Sequence, residues 1–247
     1  MYRRRFIFLM SETFDVIAVG AHPDDVEIGC GGTLASLTQQ GFKVGIVDLT
    51  NGEPTPRCSD PAIRVAEAHA AAEVLGCKRI ILDFENRNLF DTFETRVGLA
   101  TVFRQYKPKI VLGLLGKTPM ASPDHWQASQ ITDAAVFYSR LTKWDQHFDG
   151  LPTHTISRLA YYSLLHSEFN ATQSNQCVVD ISETLSKKIE SVECYKTQFP
   201  PEKRYVLERA RSIAQAIGFS AGFTAGEVIT STRAIGSKNL VDTLLPG

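Results

Sequence analysis

Short β-branched runs alternate with longer helical stretches from residue 15 to residue 141 of this 247-residue chain, and that rhythm leaves few folds open. Asp15-Val-Ile-Ala-Val-Gly20, Lys43–Leu49, Arg79–Asp83 and Lys109–Leu115 are apolar runs of the kind that form strands buried on both faces of a parallel sheet. Between them, four stretches read as helices: 27–40 closed by Gly41, the Ala-rich 62–75 closed by Gly76, 93–106 ending before Pro108, and 124–141. The alternation predicts an α/β fold, a Rossmann-like, doubly wound and mainly parallel sheet with helices on both faces and right-handed crossovers. The second half is less regular. Leu159–Leu165 and Cys177–Ile181 read as strands, and 183–198 and 203–217 as helices. No internal repeat, low-complexity tract or linker interrupts the chain, so residues 12–247 are expected to form one domain. Residues 1–11 are expected to be a disordered or spurious extension. Their apolar part, Phe6–Met10, is shorter than the ~7–15 residues of a signal-peptide core, and a start at Met10 would lead directly into the first strand.

Composition removes several classes of function. With 26 basic and 27 acidic residues the net charge is −1, which does not indicate a polyanionic partner such as nucleic acid. No apolar run approaches the ~20 residues that span a bilayer, so no membrane partner is expected. The five cysteines (Cys30, Cys58, Cys77, Cys177 and Cys194) are odd in number and form no CxxC pair. A disulfide framework and a cysteine-rich zinc module are both disfavoured, and a reducing, cytoplasmic location fits.

Parallel sheets bind ligands beyond the carboxyl ends of their strands, near the point where strand order reverses. That directs attention to Gly20–Gly32, Thr50–Asp60 and Gly116–His125. A dinucleotide site would place G-x-G-x-x-G in the first of these loops. Here the loop reads Gly20-Ala-His-Pro-Asp-Asp25, and only Asp48, at the end of the second strand, favours a nucleotide. His22, Asp24 and Asp25 crowd an imidazole and two mutually repelling carboxylates into four positions. A bound cation relieves that repulsion, and a catalytic zinc site needs three such ligands with one position open to water. The plain alternative is a surface turn with solvated carboxylates and a helix N-cap. In the loop after the fourth strand, Ser122-Pro-Asp-His125 offers a second imidazole. If the first and fourth strands are neighbours, His125 could complete a His-Asp-His site with His22 and Asp25. Two imidazoles and a carboxylate suit zinc and other divalent ions.

The AHPDD loop after a first strand and the later PDH resemble those of the zinc-dependent N-acetylglucosaminyl deacetylases of the LmbE/PIG-L family. Weaker matches are Thr50-Asn-Gly-Glu53, Arg64 with Glu67-Ala68, Asn86-Arg87, Val178-Val-Asp-Ile181 and Gly226-Glu227, so the resemblance runs through nearly the whole chain. It is nearest to the branch that deacetylates N-acetylglucosaminyl-malate in bacillithiol synthesis. The resemblance implies a Rossmann-like fold and a zinc ion held by His22, Asp25 and His125. It also implies Asp24 as general base, Arg64 as a substrate contact, a small N-acetylglucosamine conjugate as substrate, and a homo-oligomer. The alternative for Arg64 is a solvated helix arginine paired with Glu67 at i+3. One departure matters: the family writes HPDH where this chain has Ser122-Pro123-Asp124-His125. A hydroxyl can donate a hydrogen bond to an oxyanion but cannot carry charge at neutral pH. His166 is a candidate replacement, and Asp124 could orient an imidazole or cap the helix. The departure also leaves open a metal- or sugar-binding protein with weak or no deacetylase activity. The Pro-rich Glu53–Arg57 is expected to be a mobile rim loop.

Overall fold

The computed structural model describes residues 12–164, 175–236 and 238, so the N-terminal extension and His166 lie outside the described residues. Among the described residues, seven strands form one sheet. The first five are β1 (Val16–Gly20), β2 (Val44–Thr50), β3 (Lys78–Phe84), β4 (Ile110–Leu114) and β5 (Arg158–Tyr162); β6 (Gln176–Asp180) and β7 (Gly226–Ser231) follow. Their order across the sheet is β3-β2-β1-β4-β5-β7-β6. The pairs β3–β2, β2–β1, β1–β4 and β4–β5 are parallel, whereas β7 runs antiparallel between β5 and β6. The expected α/β, mainly parallel sheet is therefore present, with an antiparallel strand inserted that the sequence reading did not contain. β1, β2 and the inner part of β4 are fully buried, as two-sided apolar runs require.

Among the described residues, six α-helices cover the sheet: α1 (Asp25–Gln39), α2 (Pro61–Leu75), α3 (Phe93–Tyr106), α4 (Asp124–Tyr138), α5 (Leu185–Glu193) and α6 (Tyr205–Ser220). α3 packs with α4 on one face; α1, α2, α5 and α6 form the packed group on the other. Local chemistry sets their ends. Asp60 accepts from Ala62 N at 2.9 Å, Pro61 opens α2, and Gly76 closes it in the left-handed conformation. Thr92 and Thr95 form a reciprocal capping box on α3. Among the described residues no helix is long and apolar enough to cross a membrane.

α1 is the unusual element. A Cβ on Gly29 would lie 2.1 Å from the Tyr162 ring, and one on Gly32 would lie 2.7 Å from Ile181, so both glycines let the helix lie close to its neighbours. Gly29 and Gly32 thus serve packing. The helix also breaks at Cys30, whose φ of −146° and ψ of 20° are not helical.

Because β1 and β4 are neighbours in the parallel sheet, the loops beyond their carboxyl ends converge. Those two loops lead into α1 and α4, whose first turns carry Asp25 and His125.

Candidate metal centre

His22, Asp25 and His125 each place a ligand atom within 4.8 Å of the others. Asp25 organises the cluster. Its Oδ2 accepts from the backbone N–H groups of Ala21 and His22, both at 3.0 Å. Its Oδ1 lies 3.3 Å from His125 Nε2, and Oδ2 lies 3.5 Å from His22 Nδ1.

Each imidazole is gripped from behind. His22 Nε2 donates to Asp124 Oδ2 at 3.2 Å; a carboxylate only accepts, so this nitrogen carries the proton and Nδ1 faces the cluster. Asp124 is itself fixed by Arg87 N, which donates to Oδ2 at 2.7 Å. His125 Nδ1 sits 2.7 Å from Thr118 Oγ1, so Nε2 faces Asp25. A metal-binding histidine is held in this way, with one nitrogen on an outer partner and the other free for the ion. Two imidazole nitrogens and one carboxylate oxygen also match the three protein ligands of an open zinc site. The residues present therefore fit a divalent ion.

The charges point the same way. Burial pushes the Asp25 carboxyl up, but His125 and His22 outweigh it and hold the group well below the usual carboxylate range. Burial opposes charge on His22, yet its hydrogen bonds to Asp124 and Asp25, with the charges of Asp25 and Asp24, raise its pKa to about 10. Without a metal, a proton on His22 balances this anionic corner. Burial likewise opposes ionisation of Asp124, and its hydrogen bonds from His22 and Arg87 N overcome that and lower its pKa.

Asp24 is set apart from the cluster by its backbone. Its φ of 111° is in the left-handed region, a strain of order 1–3 kcal/mol for a residue with a side chain. That conformation is held by Arg64, whose guanidinium donates to Pro23 O and, at 2.9 Å, to Asp24 Oδ2. Asp24 Oδ1 accepts no hydrogen bond among the described residues, and the side chain keeps 16% exposure. Burial raises the Asp24 pKa to about 7, against the lowering effect of Arg64.

Arg64 differs from the solvated arginine of the alternative reading. It is 2% exposed, its guanidinium lies 5.1 Å from the Tyr195 ring, and among the described residues Nε and NH1 have no hydrogen-bond partner. Glu67, its expected partner, instead accepts from Thr197 N and Oγ1. Ser122 Oγ accepts from Asp124 N at 3.3 Å, so this residue faces the first turn of α4. The Thr50–Glu53 segment braces the site. Thr50 donates N–H and Oγ1–H to Ala21 O, and a Cβ on Gly52 would lie 3.1 Å from Pro23. The stretch after it, expected to be a mobile rim, is tied down by Gln198 on Thr55 and by an Arg57–Glu202 ion pair. Asp48 does not face a nucleotide site. It is fully buried and takes two hydrogen bonds from Arg79, at 2.5 and 2.8 Å.

The GlcNAc-PI de-N-acetylase (PIG-L) family pattern matches residues 17–136. Diacetylchitobiose deacetylase of Thermococcus kodakarensis is 31% identical over 237 residues, covering 90% of this chain and 86% of that protein. The chain belongs to the PIG-L/LmbE family. Its relatives in three dimensions agree. A conserved protein from Thermus thermophilus superposes with a TM-score of 0.78 at 30% identity, covering 91% of this chain and 97% of the other. The N,N'-diacetylchitobiose deacetylase of Pyrococcus horikoshii superposes with a TM-score of 0.76 at 27% identity, covering 88% and 83%.

As a PIG-L family member the chain has supports that sequence reasoning missed. Thr118 and the Arg87 backbone hold the two imidazole arms, and no periodicity marks either. Glu27 had a readable signal, a charge between the apolar Val26 and Ile28. It is fully buried, ion-paired with Arg79, and accepts from Tyr195 Oη at 2.9 Å.

Proposed function

We propose that this protein is a zinc-dependent deacetylase that removes the N-acetyl group from a small conjugate of N-acetylglucosamine. The observation that carries the reading is the His22–Asp25–His125 cluster, in which each imidazole is backed by an outer partner and turned toward one carboxylate. Membership of a deacetylase-rich family supports the reaction class, and the donor set supports zinc, although other divalent ions suit the same ligands. A zinc ion held there supplies Lewis acidity, which makes water nucleophilic near neutral pH and polarises an amide carbonyl.

The chain's own groups supply the proton traffic. Asp24, with Oδ1 free of hydrogen bonds among the described residues and Oδ2 clamped by Arg64, takes a proton as water adds to the acetamide carbon. As the C–N bond breaks, the same carboxyl returns that proton to the amine, leaving acetate and a free glucosamine nitrogen. Asp124 orients His22. Ser122 offers a hydroxyl hydrogen to the developing oxyanion, and His166 remains a proposed second donor. The five cysteines, none paired in the structure, suit a reducing cytoplasm. The family resemblance carries the expectation of a homo-oligomer and of the malate-conjugate branch.

The test is acetate release by zinc-loaded protein from a panel of N-acetylglucosaminyl-malate, N-acetylglucosaminyl-inositol and diacetylchitobiose. Asp24→Asn is expected to keep one metal per chain and lose at least about 10²-fold in kcat. An Asp24→Asn protein as active as wild type removes Asp24 from the base role, and a wild-type chain that takes up no zinc removes the metal reading. The Ser122 position favours a second reading, a metal- or sugar-binding protein with weakened turnover. A large gain in rate from Ser122→His would favour that reading, and robust wild-type turnover excludes it.

A further inference from the structure

The break in α1 at Cys30 coincides with a buried ion pair from the far end of the chain. An unbroken helix would pair Gly32 N with Ile28 O. Here Gly32 N donates to Glu227 Oε1 at 3.1 Å, and Thr33 N donates to Oε2 at 2.6 Å. Lys188 Nζ donates to Glu227 Oε1 at 2.5 Å and to Ile28 O at 2.6 Å. The run Ile28 O, Lys188 Nζ, Glu227 Oε1, Gly32 N is thus a splint inserted into the hydrogen-bond ladder, a recognised cause of a helix kink. Thr184 closes the other side by donating to Gly32 O at 2.8 Å. Lys188 and Glu227 are each 3% exposed, and both charges are satisfied within the splint.

The splint reaches the reaction site in one further step. Ile28, whose carbonyl accepts from Lys188, donates its own N–H to Asp24 O at 3.0 Å. The segment it fixes, Asp24–Ile28, carries Asp24, Asp25 and Glu27. We propose that Lys188 and Glu227 are positioning residues for the metal centre: they set the angle of the first half of α1 and, through Ile28, the Asp24–Asp25 turn. The proposal rests on the metal reading given above. It also accounts for Gly226-Glu227, a matched pair that the catalytic reading leaves unused. Glu227 splints the kink, and a Cβ on Gly226 would meet Val178 at 2.4 Å.

The experiment compares Lys188→Met, Glu227→Gln and the double variant with Leu99→Ala, a buried change in α3 that destabilises the chain away from α1. Two quantities are read. One is Co²⁺ affinity, with the visible spectrum of the bound ion. The other is hydrogen exchange of residues 24–28 in metal-free protein. Either single variant is expected to weaken Co²⁺ binding about tenfold, change the spectrum and accelerate exchange at 24–28. Leu99→Ala should leave Co²⁺ affinity and the spectrum unchanged and should not accelerate exchange selectively at 24–28. If a single variant fails to fold because it strands a buried charge, the double variant decides, since it removes both charges together. Met offers Ile28 O no donor, so the double variant should show the same weakening and the same faster exchange. Co²⁺ affinity within twofold of wild type together with unchanged exchange in the double variant overturns the proposal, as does Leu99→Ala reproducing the changes. Wild-type protein that binds no Co²⁺ while exchange at 24–28 still accelerates in the variants would overturn the metal reading and leave the positioning role standing.

Discussion

Arg64 spends its buried charge on Asp24, a neighbour of the proposed metal ligands. Its bond to Asp24 Oδ2 fixes one carboxylate oxygen and leaves the other free, and its bond to Pro23 O helps hold a left-handed Asp24. A substrate contact and a positioning role differ in kinetics. Arg64→Met, which keeps most of the side-chain volume, is expected to lower kcat by about 10²-fold with KM nearly unchanged, the signature of a displaced reacting group. A rise in KM at constant kcat would return Arg64 to substrate binding. A second buried cluster contributes a pH dependence of its own. Burial raises the Asp48 pKa to about 6 from the ordinary 3.8, against the lowering effect of Arg79. A carboxyl with a raised folded-state pKa binds its proton more tightly in the folded chain. Its contribution is therefore fully present below pH 3.8 and is lost as pH rises through about 6. At 1.36 kcal/mol per unit this amounts to about 3 kcal/mol. The unfolding free energy of wild type relative to Asp48→Asn should fall by that order between pH 4 and pH 7. A difference that stays flat across this range contradicts the account.

At the scale of elements, α1 joins the sheet, the site and the C-terminal part of the chain. Its glycines are not equivalent. Ala is ordinarily better than Gly in a helix by roughly 0.5–1 kcal/mol. At Gly29 that gain is overwhelmed, because the new Cβ would stand 2.1 Å from a fully buried Tyr162 ring whose hydroxyl donates to Val19 O at 2.8 Å. Gly29→Ala is expected to destabilise by about 1–3 kcal/mol, the range for an overpacked core. At Gly31 the nearest atom would be Lys188 Cγ at 3.7 Å, an ordinary contact, so Gly31→Ala should be neutral or slightly stabilising. Denaturant unfolding of the two variants checks both signs, and equal effects at the two sites would show that α1 does not dock as described. β7 was illegible for a related reason. Its run Gly226-Glu-Val-Ile-Thr-Ser231 places a carboxylate at a fully buried position, which reads as the end of an apolar segment rather than as a strand. The Lys188 ammonium and the N–H groups of Gly32 and Thr33 make that position tolerable.

For the whole molecule, the proposed metal cluster joins distant parts of the chain, because the β1 loop and the start of α4 meet only in the folded state. Any ion held there stabilises the fold by linkage. Zinc at about 100 times its Kd adds about 2.7 kcal/mol, or roughly 5–10 °C in Tm for a chain of this size. Chelation should remove the increment and zinc should restore it, while His22→Ala should abolish the response. A Tm indifferent to zinc in wild type would show that the ion does not bind the folded state at this site.

Local patterning decided the first layer of this molecule. Apolar runs of strand length between helical periods, with capping residues at Asp60, Gly76 and Thr92, settle each element from its own neighbours, because burial and capping act over a few residues. The parallel strand order then says where ligands collect, so His22, Asp25 and His125 could be named together before any coordinate was known. What the chain could not announce lies in contacts between residues far apart in sequence. These include Arg64 turning inward to Asp24, Asp124 behind His22, and Glu227 reaching α1 across 195 positions. Such pairs leave no periodicity. A buried charge is tolerable only when its partner arrives, and tertiary packing alone determines which partner that is.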